Sequence, residues 1–169
     1  VPQDGALMAM LSLKGLEEKQ LYRGLARVSI TQYQTWMSEL LRNLQTNHGM
    51  AMIFITHDLG VVAEICDEVL VMYAGRAAER ANVAQLFEIP RHPYSQGLMA
   101  SIPRLGAPCK VPLPVIEGIV PALDSLPSGC PFSNRCRYSD NKCEKENPLL
   151  VDAGPNHQVA CHHWQGLSK

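Results

Sequence analysis

A fold of the α/β class, parallel strands joined by helices, is predicted from three stretches of this 169-residue sequence. "MAMIFIT" (50–56) is a continuous apolar run of strand length, which reads as a strand buried on both faces and therefore parallel to its neighbours. A helical stretch near 58–65 follows, and a second apolar strand lies near 68–73. Strand, helix, strand in that order is a βαβ unit, with a right-handed crossover expected. Beyond residue 103 the composition changes, and a small, irregular, cysteine-rich extension is expected to follow the sheet.

Residues 1 to 29 carry no evident chemistry, and "GALMAMLSLKGLEEKQLYRGLA" reads as one or two helices. From 31 to 47, Tyr33, Trp36, Met37, Leu40, Leu41 and Leu44 recur at helical spacing, and His48-Gly49 is a common helix stop. Ala74-Gly75-Arg76 reads as a turn, with a third short strand at 77–80. "NVAQLFEI" (82–89) is a short helix with Asn82 at its cap and Pro90 beyond its end. "HPYSQGLMASI" (92–102) is another, with Pro93 tolerated in its first turn. Proline then occupies positions 103, 108, 112, 114, 121, 127 and 131, a density no helix accommodates, so this segment is an extended arm.

Composition narrows the function classes. A formal net charge of −1 argues against a general nucleic-acid surface, which needs a basic excess. No run reaches the eighteen or so apolar residues of a membrane span. No basic-then-apolar segment opens the chain, so the six cysteines are expected in a reducing cytosol, which disfavours disulfides. The opening Val1, in place of Met, points to a fragment or a processed product.

Two constellations have possible chemistry. The first strand of the βαβ unit ends in Thr56-His57-Asp58, and ligands of open α/β sheets sit at the carboxyl ends of strands. His57 is thus placed to donate to a phosphate or hold a water; the plainer alternative is a structural histidine beside an Asp58 helix cap. The second is Cys130-x5-Cys136-x6-Cys143-x17-Cys161. Structural zinc sites usually contain tight C-x2-4-C pairs, and this set has none. The wider spacing, with Pro131, Asn134, Ser139, Asp140 and Asn141 between the thiols, suits a larger cluster held by four thiolates. Zinc, free structural thiols and disulfides remain the alternatives. Cys66 falls on an apolar face and reads as core, whereas Cys109 has no partner at ligand spacing. His162 and His163 could support the thiols or be solvated, His157 is undecided, and a local hydrogen bond is expected of His92.

At "IFITHDLGVVAEICDEVLVMYAGR" (53–76) the sequence resembles the ATP-binding subunits of ABC transporters, whose switch-histidine loop matches Thr56-His57-Asp58. "LFEIPRHPYSQGLMASIPRL" (86–105) resembles the dipeptide and oligopeptide importer branch, and "GCPFSNRCRYSDNKC" with "VACHHW" resembles that branch's cysteine-bearing C-terminal extension. The resemblance spans roughly residues 29 to 165. It implies the C-terminal part of a P-loop-type nucleotide-binding domain, with ATP and Mg2+ bound by the complete domain and His57 contacting the γ-phosphate across a dimer. It also implies a [4Fe–4S] cluster on Cys130, Cys136, Cys143 and Cys161. The expected partners are a second ATPase subunit and transmembrane permease subunits, with the chain peripheral on the cytoplasmic face of the inner membrane and importing dipeptides or oligopeptides. The implied organisation is an unassigned segment 1–29, a partial nucleotide-binding domain 30–102, a Pro-rich arm 103–129 and the extension 130–169.

Departures from the family pattern are equally specific. No Gly-x4-Gly-Lys-Ser/Thr phosphate loop and no Ser-Gly-Gly-Gln signature occurs in the 169 residues. Where an Asp-Glu strand end and an Ala-Leu-Asp loop are expected, the sequence reads "KQLYRGLARVSI", with Gln20 and Leu21 near the acidic pair and Arg27 at the loop position. ATP hydrolysis by this chain alone is therefore not expected. Rival readings are an inactive remnant that keeps partner contacts, or a stand-alone protein binding zinc or an iron–sulfur cluster.

Overall fold

The computed structural model describes residues 7–12, 30–49, 51–103, 112–122 and 124–167. Cys109 and most of the segment before residue 30 lie outside these, as do the side chains of Tyr33, Trp36 and Met37. The elements in chain order are β1 (Leu7–Ser12), α1 (Ile30–His48), β2 (Met52–Thr56), α2 (Leu59–Ile65), β3 (Glu68–Tyr73), β4 (Arg76–Asn82), α3 (Val83–Glu88), α4 (Pro93–Ala100), α5 (Asn141–Lys145), β5 (Val151–Gly154), β6 (His157–Val159) and α6 (Trp164–Leu167).

The six strands form one sheet in the order β2-β1-β3-β4-β6-β5. The expectation of a parallel sheet is corrected here: every strand pairing among the described residues is antiparallel. β2 and β3 do share a direction, because β1 lies between them antiparallel to both. The residues of β1, read from sequence as helix, form a strand instead. Its Leu, Met and Ala favour helix in isolation, but ladders on both sides supply its backbone with partners and outweigh that preference. Nor is β2 buried on both faces: Met52 is buried, whereas Ile53 and Ile55 are 54% and 63% exposed. An unbroken apolar run cannot report that one of its faces is open.

The helix boundaries follow side-chain chemistry. Asp58 caps α2, its Oδ1 accepting from the N–H groups of Gly60 (2.9 Å) and Val61 (3.2 Å). Asn82 caps α3 by accepting from Ala84 N–H, and Ile89-Pro90 lies past its end. His92 caps α4 through Nδ1, which accepts from Tyr94 N–H at 3.0 Å, with Pro93 in the first turn. β3 alternates, sending Val69, Val71 and Tyr73 inward. It turns into β4 through Ala74 and Gly75, both at positive φ (47° and 77°), as a two-residue hairpin of the mirror-turn kind requires.

Val62, Ile65 and Cys66 pack with Val69, Val71, Tyr73, Ala78, Ala81 and Leu86, and the same core includes Tyr94, Cys130, Phe132 and Cys143. Cys66 is buried there as expected, with burial first and then Asp67 pushing its thiol up to about 11. The cysteine-bearing segment is more regular than the sequence suggests. Its hairpin, β5 and β6, extends the main sheet through β4, and Phe132 stacks edge-on against Tyr73 with ring centroids 5.1 Å apart. The arm at 112–122 has no regular structure, yet Arg135 holds it: the guanidinium donates to the carbonyls of Ile116 (2.8 Å) and Glu117 (2.9 Å) and to Tyr73 Oη (3.4 Å).

Candidate metal centre and switch histidine

Three short loops bring the four sequence-singled thiols into one region. Cys130 begins the first, where its N–H donates to Cys143 O at 2.8 Å. Gly129 permits that approach, since a Cβ there would stand 2.3 Å from Cys143 O and 2.6 Å from the Glu144 carbonyl carbon. A 3-10 turn, Ser133–Arg135, then leads to Cys136. Cys143 sits in α5, a five-residue helix capped by Asp140, whose Oδ1 accepts from Lys142 N–H (3.0 Å) and Cys143 N–H (2.9 Å). Cys161 follows β6, which fixes its position through the sheet.

Backbone N–H groups point at the sulfurs. His163 N–H donates to Cys161 Sγ at 3.4 Å; Phe132 and Ser133 do the same for Cys130, and Tyr138 for Cys136. Such donors stabilise a thiolate, and so a metal-bound sulfur. Without a metal, burial dominates and pushes all four thiols up, Cys161 to about 11. Proximity of the other three thiols contributes to the rise at Cys161. A metal ion that binds such a thiol takes the place of its proton, which leaves to solvent.

A single tetrahedral zinc needs sulfurs about 3.8 Å apart. Among the described residues, the only group with ligand atoms all within 4.8 Å of one another is Asp140, Cys143 and His163. The four sulfurs do not form such a group.

His163 has a defined place. Its Nε2 pairs with Asp140 Oδ2 at 3.1 Å. Asp140 also accepts from the Cys143 thiol, and backbone donation by Cys143 N–H first among several causes holds its carboxyl down at about 2. His162 Nε2 lies 3.0 Å from Glu146 O. His157, undecided from sequence, is buried against Glu79, with Nε2 2.6 Å from Oε1.

His57 is exposed at the carboxyl end of β2, followed by the Asp58 cap, whose own N–H donates to Thr56 Oγ1. β2 is at one edge of the described sheet and β6 is next to the other edge, so the histidine and the thiols are separate sites. Sequence reasoning missed the partners: Glu79, Arg135, and Asp140 as more than a turn residue. A charged residue in a strand reads as solvent-facing, and its partners are far away in sequence.

The class of the fold is a mixed α/β unit whose antiparallel sheet is continued by a hairpin lying between Cys143 and Cys161. Residues 78–143 match the family described as oligopeptide/dipeptide transporter, C-terminal region. The chain is 43% identical over 140 residues to a putative peptide import ATP-binding protein of Brucella ovis, and 50% identical over 136 residues to the oligopeptide transport ATP-binding protein OppD of Haemophilus influenzae. Each alignment covers 80% of this chain and 41% of the relative. For OppD of Mycobacterium tuberculosis the identity is 42% over 128 residues, covering 76% of the chain and 21% of the relative. Over residues 78–143 the chain matches this family's C-terminal region, and it spans about two fifths of the length of the Brucella ovis and Haemophilus influenzae relatives. Among the described residues, no helix is long and apolar enough to cross a membrane.

Proposed function

We propose that this chain is the C-terminal portion of the ATP-binding subunit of a peptide importer, and that it serves the coupling of ATP binding and hydrolysis to dipeptide or oligopeptide uptake. The observation that carries the reading is the 50% identity to a protein named for oligopeptide transport and ATP binding. In this reading the segment 30–102 belongs to the nucleotide-binding domain, 103–129 is an arm, and 130–169 is the extension. A second ATPase subunit and permease subunits are the partners, at the cytoplasmic face of the membrane.

His57 is the residue for the γ-phosphate of the closed dimer. Its exposure at a strand end leaves the imidazole open to a ligand, while the Asp58 and Thr56 hydrogen bonds fix the loop that presents it. A contact made only to the terminal phosphate favours the transition state over bound nucleotide. With the N-terminal part of the domain supplied, His57→Ala should abolish most hydrolysis and leave ATP affinity nearly unchanged. Normal turnover by the variant, or a fall in affinity as large as the fall in rate, would exclude the role. The 169 residues alone contain no phosphate loop and should show no magnesium-dependent turnover.

Cys130, Cys136, Cys143 and Cys161 are the residues for an iron–sulfur cluster, which when bound cross-links three loops without an oxidising compartment. The thiols' part is to lose their protons and accept the N–H donors of Phe132, Ser133, Tyr138 and His163. Protein prepared without oxygen should be brown and contain iron and acid-labile sulfide in similar amounts. Colourless, iron-free protein would exclude the cluster.

A further inference from the structure

His92 stands where two of the thiol-bearing loops meet. Its Nδ1 accepts from Tyr94 N–H at 3.0 Å, so the ring proton is on Nε2, which donates to the carbonyl of Ala160, the residue before Cys161. The same imidazole lies 5.8 Å, centroid to centroid, from the ring of Phe132, whose N–H donates to the Cys130 sulfur. We propose that His92 is a positioning residue for the four-thiol site, setting the Cys130 loop against the Cys161 loop without touching either sulfur. This role rests on the cluster assigned to the four thiols, and it adds a residue outside them.

The anchor is rigid on the side away from the thiols. His92 is buried, and its own N–H donates to Glu79 Oε2 on β4 at 2.9 Å. Ala160 N–H donates to Ala78 O on the same strand at 2.8 Å. Ala160 is therefore held at its N–H by β4 and at its carbonyl by His92, and the chain enters Cys161 from a fixed peptide group. The Cys161 sulfur then accepts from His163 N–H at 3.4 Å, so its direction is set within two residues of that peptide. His92, Cys130, Phe132 and Ala160 line a cavity of about 60 Å3 at the junction, so the two loops do not meet there in close packing. The imidazole and its hydrogen bond hold their separation. A buried bond of this kind is strong, and losing it leaves the Ala160 carbonyl without its partner.

Two substitutions separate this role from simple support of the fold. Asparagine puts its amide oxygen near the place of Nδ1, and glutamine puts its amide nitrogen near the place of Nε2. His92→Asn thus keeps the α4 cap and loses the Ala160 bond, whereas His92→Gln loses the cap and keeps a donor for Ala160. The whole chain is loaded with iron and sulfide without oxygen, and iron release to a chelator is followed at the same interval below each thermal midpoint. His92→Asn should release iron about 10-fold faster than the parent or more, the usual loss from an outer-shell partner, and His92→Gln should stay within about threefold. A second readout needs no iron. In the reduced, metal-free chain, alkylation of Cys161, mapped by mass spectrometry, should accelerate in His92→Asn and not in His92→Gln, while buried Cys66 stays unlabelled in both. An iron-free parent with that labelling pattern would sink the cluster and still support the placement of Cys161 by His92. Iron release and labelling unchanged in His92→Asn, or changes in both variants that simply follow their thermal midpoints, would overturn the proposal.

Discussion

Glu79 is a carboxylate with no exposed surface, and its partners come from the loop before α4 and from β6. Oε1 accepts from Arg91 N–H (2.7 Å) and meets His157 Nε2 (2.6 Å), while Oε2 accepts from His92 N–H (2.9 Å). Removing such a group strands two backbone donors and an imidazole together, so Glu79→Ala should lower stability by about 3–5 kcal/mol. The urea midpoint measures it, and a loss below about 1 kcal/mol would show that water replaces the carboxylate. Neighbouring His92 is buried, which lowers it from an ordinary 6.5 to about 4 against the opposing effects of Glu79 and the Ala160 carbonyl. As pH falls below 6.5 the unfolded chain takes up this proton while the folded chain does not. Stability should therefore decline from about pH 6.5 towards pH 4, by on the order of 3 kcal/mol, and this contribution should level off below. His92→Asn keeps a capping side chain at α4 and removes the titration, so the stability difference between parent and variant should carry that slope. A flat difference would refute it. Neither role was legible: one spacing signal, His92 before Pro93, suggested a local hydrogen bond, but nothing in the sequence brings position 157 to position 79.

At the scale of elements, what was legible is what local chemistry decides. The ends of α2, α3 and α4 follow Asp58, Asn82 and His92-Pro93, whose acceptors and ring act within a turn. β1 was not legible, because its "LMAMLS" has helix-forming composition and becomes a strand only by pairing with two others. The openness of β2 was hidden for the same reason, since the cover over a strand is a tertiary fact. The cysteine spacing was legible as a converging set, but the close trio was not, for Asp140 looked like a turn residue and His163 like a solvated one. Gly129 shows how tightly those loops are fitted. A methyl group there meets the backbone of Cys143 and Glu144, which cannot swing aside as a flexible side chain would. Gly129→Ala should therefore pull the Cys130 loop off α5, breaking the 2.8 Å bond from Cys130 N–H to Cys143 O. The expected outcome is a loss of metal uptake together with a destabilisation of about 1–3 kcal/mol, as for overpacked sites. Undiminished metal binding by this variant would mean that the loop tolerates a larger separation.

Across the whole molecule, sheet and core join what the sequence divides into a nucleotide-binding part and an extension. β6 covers the edge of β4, His157 Nε2 meets the buried Glu79 carboxylate at 2.6 Å, and Phe132 lies against Tyr73, Tyr94 and His92. Deleting residues 130–169 would expose a sheet edge, strip an aromatic from the core and leave a buried carboxylate without its imidazole. Loss of a core Phe alone is worth about 3–5 kcal/mol, a large share of a small domain's stability. The chain cut after residue 129 is therefore expected to lack a cooperative thermal transition and a near-ultraviolet signal from fixed aromatic rings, and to aggregate through the uncovered β4 edge. The intact chain should unfold in one transition seen alike by far-ultraviolet dichroism and tryptophan fluorescence. A truncated chain that still melts cooperatively would show that the segment before the arm folds by itself, and that the shared sheet adds affinity between two units in place of making them one.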